Sequence, residues 1–205
     1  SFDEAHAKTR AAMARGMDVI YQAALARDDW RGYADVLVRV EHASDLGAWS
    51  YEAHDTKLAK ETRGGTILQL STYSELLAGM QGGAPERFHV VTPASGESAA
   101  DMPFVVHSYR VDDYAAYFRR VRGQLLATLA EGHEPVLART YPEPAEACEL
   151  CRWWARCNGR RRADDHLSFI AGISRSHRRE FEAHGAPTLE AAATLAHPLP
   201  FTPTR

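Results

Sequence analysis

Residues 51–60 read YEAHDTKLAK, with Asp55 and Lys57 two positions apart. On a β-strand these two side chains share one face, roughly 6.6 Å apart along the chain. The same face begins with Trp49 and Tyr51, so the acid and the base fall where core residues would follow. Asp35 lies in a preceding strand-like stretch, which brings a second carboxylate to the same end of a sheet. Two carboxylates suit a hard divalent cation such as Mg²⁺, which prefers oxygen ligands and keeps several waters. Such a cation activates water and neutralises phosphate charge, and a nearby ammonium stabilises charge that develops in the transition state. Gln69 and Tyr73 are spaced i, i+4, so on a helix they share a face and can orient a water or a phosphate. A salt-bridged strand end would produce the same D-x-K triplet, and short motifs recur by chance. The order Asp35, Asp55, Lys57, Gln69, Tyr73 is what raises the chemical reading above the bland one.

A second group follows later in the chain. Cys148, Cys151 and Cys157 give C-x-x-C-x-x-x-x-x-C. This spacing points to a metal centre, zinc or an iron–sulfur cluster, and either takes four ligands. His166 is an alternative fourth ligand for zinc; three unligated thiols is the bland reading. Arg152, Arg156, Arg160, Arg161 and Arg162 surround Trp153 and Trp154. Guanidinium groups hold phosphates and indoles stack on bases. Tryptophans packing over a cluster, and arginines pairing with Asp164 and Asp165, explain the same residues structurally. His54, His89 and His107 lie on strands without ligand spacing and read as structural or surface residues.

The elements that must position these residues follow from periodicity. A helix is expected over 3–15, ending at Gly16, and strands over 17–25, 31–41 and 49–58 form an antiparallel meander around an ARDD turn. In 31–41, Ala34, Val36, Val38 and Val40 share one face, and Asp35, Leu37 and Arg39 the other. A helix over 66–79 presents Ile67, Leu70, Tyr73, Leu76 and Leu77 as one stripe. Strands over 88–93 and 103–109 are separated by the polar loop ASGESAAD, and a long helix spans 112–131. After Pro135 the composition changes, and helices are expected over 164–184 and over 188–196, the second capped by Thr188. The tail HPLPFTPTR reads as irregular. The fold class is therefore α/β, a mixed central sheet flanked by helices. The expected division is 1–134 for the core and 135–205 for a cysteine-bearing helical appendage.

The chain has 205 residues, 45% of them hydrophobic and 25% charged, ordinary values for a globular protein. A net charge of −3 gives no global basic signal, so any anion-binding surface is local. Three of its 24 basic residues are lysines, Lys8, Lys57 and Lys60, and the rest are arginines. A lysine in such a background is less expected as filler, and it offers a compact ammonium with a tunable pKa. No apolar run approaches membrane-spanning length. An odd number of cysteines argues for a reducing compartment, and the chain is read as cytoplasmic.

The ordered set G-x-x-D (Gly32 to Asp35), D-x-K (Asp55 to Lys57) and Q-x-x-x-Y (Gln69 to Tyr73) resembles the RecB-type nucleases of the PD-(D/E)xK superfamily. The segments HDTKLAKETRGGTILQLSTYSELL, EACELCRWWARC and RRRADDHLSFIAGISR extend the likeness from about residue 5 to residue 196, toward the members that carry a C-terminal cysteine cluster. The resemblance implies a restriction-endonuclease-like core that hydrolyses DNA, single-stranded or with single-stranded ends, with Mg²⁺ or Mn²⁺. It implies Asp35 and Asp55 as metal ligands and Lys57 as the catalytic lysine, with Gln69 and Tyr73 in the motif that follows. It also implies a 4Fe-4S cluster on Cys148, Cys151 and Cys157, with its fourth ligand outside this chain; zinc stays the alternative. Such nucleases add a Glu or His from a helix before the meander, for which Glu4 and His6 are the candidates. The start at Ser1 is read as the start of a fragment, with further domains of the same protein as expected partners. Two other readings stand beside the nuclease: a non-catalytic nucleic-acid-binding module and a zinc-stabilised interaction domain.

Overall fold

The computed structural model describes residues 1–59, 61–94, 103–199 and 201. Most of the polar loop expected between the last two strands, and most of the tail's final residues, lie outside the described residues. The chain divides into two units, Ser1–Ala130 and Glu131–Arg205.

The first unit is α/β, with an open five-stranded mixed sheet in the order β1-β2-β3-β4-β5. Helix α1 (Phe2–Ala14) precedes β1 (Val19–Arg27), β2 (Trp30–Val40) and β3 (Ser50–Thr56). These three form the meander, and the β1–β2 hairpin closes on Asp28 and Asp29, between the paired Arg27 and Trp30. Helix α2 (Gly64–Gln81) then crosses over to β4 (Arg87–Pro93), which runs parallel to β3. A parallel pair requires such a crossover, because a tight hairpin would reverse the chain. β5 (Phe104–Arg110) returns antiparallel to β4, and α3 (Val111–Ala130) follows without a break.

The core lies between the sheet and α2. Leu25, Leu37, Tyr51, Ala53, Phe88 and Val90 from the strands meet Ile67, Leu70, Leu76 and Leu77 from the expected helix stripe. Each large side chain buried there contributes about 1.5–3 kcal/mol. The end of α2 is pinned to the sheet by one buried side chain. Gln81 Oε1 accepts from Tyr51 N at 2.9 Å, while its Nε2 donates to Tyr51 O at 3.4 Å and Gly83 O at 3.2 Å. Gly82 (φ 76°) ends the helix in the left-handed conformation, and a Cβ there would lie 1.9 Å from an Asp45 carboxylate oxygen. Along β1, the outward-facing backbone of Ala24 is satisfied by α1: its N donates to Thr9 Oγ1 at 3.0 Å, and its O bonds His6 Nδ1 at 3.0 Å.

The second unit consists of short helices: α4 (His133–Arg139), a 3₁₀ turn at Glu146–Leu150, α5 (Trp154–Ala163), a 3₁₀ turn at Leu167–Phe169, α6 (Arg175–Ala183) and α7 (Leu189–Ala193). The continuous helix expected over 164–184 does not form. Asp165 (φ 48°) and Gly172 (φ 71°) both leave helical backbone, and Ser174 starts α6 afresh by accepting from His177 N. Thr188 caps α7, accepting from Ala191 N. No helix among the described residues is long and apolar enough to cross a membrane.

Candidate active site

The strand register decides where the acids point. Val36 pairs with His54 and Leu37 with Ala53, so Asp35 and Asp55 fall opposite each other on the face that α2 covers. Asp55 is 1% exposed, in line with Tyr51 and Ala53. Lys57 was expected inside the strand; it follows the last strand residue, with its N–H still bonded to Val91 O at 2.9 Å. From there its Nζ reaches back to Asp55 Oδ2 at 2.5 Å and donates to Gln69 Oε1 at 3.2 Å.

Gln69 ties the set together from α2. Its Nε2 donates to Tyr73 OH at 3.0 Å and approaches Asp55 Oδ1 at 3.5 Å. Tyr73 in turn rests on β2 over Gly32, where a Cβ would lie 2.8 Å from Cε1 of the ring. Four of the five expected site residues, Asp55, Lys57, Gln69 and Tyr73, are thus linked directly by hydrogen bonds or an ion pair.

Asp35 is held by a residue the sequence reading passed over. Thr56 donates to Asp35 Oδ2 from both its N, at 2.9 Å, and its Oγ1, at 2.7 Å. Both bonds go to Oδ2, which leaves Oδ1 for another partner. No local pattern signals this: Thr56 is the middle residue of the D-x-K triplet, and its bonds to Asp35 follow from how β2 and β3 pair. A second feature had no sequence signal: Gln22, beside Asp35 in the β1–β2 ladder, has φ 50°, and the ladder skips that pair. A non-glycine residue there stores strain of order 1–3 kcal/mol.

The electrostatics are those of an incompletely paired acid. Burial raises the Asp55 pKa from 3.8; the Lys57 ammonium opposes the rise, and the adjacent Asp35 carboxylate adds to it. Asp55 Oδ2, although in ionic contact with Lys57, makes no hydrogen bond of good geometry. Asp35 and Asp55 are two adjacent carboxylates, the chemistry a Mg²⁺-like ion takes, and they would hold it with waters completing its ligand set. Glu4 and His6 are engaged elsewhere: Glu4 pairs with Lys8 at 2.6 Å, and His6 bonds Ala24. Among the described residues no three of His, Cys, Asp and Glu are grouped to hold a metal.

The cysteines occupy one stretch of the second unit as free thiols, Cys151 exposed and Cys148 and Cys157 half-buried. Cys148 Sγ accepts from Ala145 N at 3.2 Å. His166 Nδ1 bonds Ser168 Oγ at 2.8 Å, and its ring stacks on Tyr141. As they stand, these groups do not form a four-ligand set for zinc or a cluster. Trp153 and Trp154 are 55% and 46% exposed rather than packed. Arg160 pairs with Asp164 at 3.5 Å.

On the opposite face of β3, Glu52 Oε2 bonds His89 Nε2 at 2.8 Å, and His89 Nδ1 bonds Ser108 Oγ at 2.8 Å. Glu52 Oε1 accepts from Arg87 N at 2.9 Å, and His54 stacks on His89 at 4.1 Å. No protein-family model and no curated protein matches the chain.

Proposed function

We propose that the chain is the core of a RecB-type DNA nuclease of the PD-(D/E)xK superfamily, hydrolysing phosphodiester bonds with Mg²⁺ or Mn²⁺. The observation that carries this reading is the Asp55 carboxylate. It is buried and raised in pKa, with a second carboxylate, Asp35, on one side and the Lys57 ammonium on the other. A divalent cation on the two carboxylates would lower the pKa of a bound water and offset phosphate charge. Asp35, fixed by two bonds from Thr56, keeps its carboxylate from rotating. Lys57 is held by Asp55 and Gln69, which keeps its ammonium ready for the negative charge that grows on the phosphoryl oxygens as water attacks. Gln69 is locked by Tyr73, so the lysine loses little freedom when substrate arrives.

The engagement of Glu4 and His6 elsewhere favours one second reading, a nucleic-acid-binding module that needs a third acid from another source. A single assay separates the two. The chain, incubated with end-labelled single- and double-stranded DNA, is expected to cut in Mg²⁺ or Mn²⁺ and to stop in chelator. Its melting temperature is expected to rise with Mg²⁺, and Asp55→Asn to abolish that rise. Mg²⁺ stabilisation without cleavage under either metal would support the module. Neither effect would overturn the site.

A further inference from the structure

We infer that the second unit carries its own binding cleft for a single-stranded nucleic acid, formed by Trp153, Arg156 and Arg160 against the Thr140–Pro142 segment. The choice of DNA among anionic ligands rests on the nuclease reading above; the cleft itself does not. Its volume is about 580 Å³, within the range of sites that hold small ligands. The described residues that line it are Leu137, Thr140, Tyr141, Pro142, Trp153, Arg156, Cys157 and Arg160. None of these is acidic, and two are guanidinium groups one turn apart on α5.

The charge is concentrated here. Between residues 150 and 163 the chain has five arginines and no acid, although the whole chain carries a net charge of −3. Arg160 also lies over the Tyr141 ring, 5.5 Å from its centroid, and Arg152 lies over Trp153 at 5.1 Å. The Tyr141 hydroxyl donates to Asp164 at 2.9 Å, which leaves its ring as the aromatic wall of the cleft beside the two guanidinium groups. Trp153 remains 55% exposed, which a packed core indole would not be.

Arg160 shares Asp164 with Tyr141, and with Arg156 beside it the cleft keeps an excess of positive charge; that excess selects a polyanion, and a half-exposed indole beside it selects a flat ring. An unpaired nucleotide offers both, whereas a duplex hides its base faces in the stack. Phosphates would sit on Arg156 and Arg160, and a base would stack on Trp153.

The test uses the full chain with Lys57→Ala in chelator, so that nothing is cut, and a fluorophore-labelled oligothymidylate as probe. Binding is measured by anisotropy across a salt series. Arg156→Ala/Arg160→Ala is expected to weaken binding at least tenfold. It should also reduce the salt slope by about 1.4, the contribution of two phosphates on a single strand. The Arg156→Lys/Arg160→Lys pair should keep the slope. Trp153→Ala, at an exposed position, should weaken binding about tenfold, and it decides the matter alone if the alanine pair fails to fold. Duplex DNA of equal length should bind more weakly at equal salt. Two results overturn the cleft. One is unchanged affinity and slope in all the variants. The other is thymidine monophosphate or inorganic phosphate binding as tightly as the oligonucleotide, which would make it a small-anion pocket. Strand binding without metal-dependent cleavage by the parent chain overturns the nuclease reading and leaves the cleft. Cleavage that is indifferent to the cleft variants, with unchanged binding, does the reverse.

Discussion

Strand β3 carries a buried acid on each face, Glu52 on one and Asp55 on the other. Both have a basic neighbour within 2.8 Å, His89 for Glu52 and Lys57 for Asp55. They differ in how far they are satisfied. Glu52 gives one oxygen to Arg87 N and the other to His89, whose second nitrogen bonds Ser108, so that both carboxylate oxygens and both ring nitrogens have partners. Asp55 faces another carboxylate and has a raised pKa, with Lys57 on one oxygen and only a 3.5 Å contact from Gln69 on the other. A closed polar network stabilises the fold that contains it, whereas an open one is held in place by the rest of the fold and kept ready for something else. The contrast teaches that composition alone does not set the state of a buried acid: two faces of one strand hold acid and base at similar distances, and only one sets two carboxylates side by side.

The comparison can be broken most sharply at the bases. Lys57→Ala is expected to lower the rate of DNA cleavage by a factor of ~10²–10³, with little change in melting temperature or DNA affinity. Lys57→Arg should restore it only in part, since the planar guanidinium places its donors elsewhere. Cleavage at the parental rate by Lys57→Ala would put the chemistry somewhere else. The mirror experiment is Glu52→Ala. It strands Arg87 N–H and His89 and should lower stability by about 1–3 kcal/mol in urea unfolding, while the cleavage rate per folded molecule stays the same. A large loss of rate at full stability would make the second cluster part of the active site.

The smallest effect sharpens the comparison through pH, in metal-free protein. The two faces respond with opposite sign. Burial and the neighbouring His89 lower the His54 pKa from 6.5 to about 4. The unfolded chain therefore takes up a proton that the folded one refuses, and stability contributed by neutral His54 is lost between pH 6.5 and about 4. The Asp55 pKa is raised above 3.8, so the folded form takes up the proton first, and stability is gained as pH falls through its folded value. In unfolding free energies measured against pH, His54→Leu should flatten the loss on acidification. Asp55→Asn should steepen it and should raise stability at neutral pH. Parallel curves for both variants and the parent would show that neither group titrates as its surroundings dictate.

Much of this was legible because strands have a period of two. That period places Asp35, Leu37, Ala53 and Asp55 on one face from the sequence alone, and the register agrees. The stripe of α2 was legible for the corresponding reason at a period of 3.6. What was not legible depends on single residues that change the backbone. Pro135 reads only as the point where composition changes, yet α4 starts at His133 and runs through it, since proline in a first turn lacks only an N–H the helix does not use. The apolar residues of LSFIAGIS look like part of one helix, but the left-handed Asp165 and Gly172 divide it. Thr56 was hidden for another reason: its role is to bond Asp35 from the next strand, a contact fixed by pairing and not by local pattern.

Gly32 has a consequence for how the site could vary. Tyr73 sits directly over it, close enough that one methyl group at position 32 would meet the ring. The thickness of residue 32 therefore works as a spacer between sheet and helix. Tyr73 sets Gln69, and Gln69 sets the lysine, so a change of one carbon on β2 is passed along two side chains before it reaches the ammonium. Position 32 touches none of the charged groups, yet the clearance between Asp55 and the helix above it is gauged there.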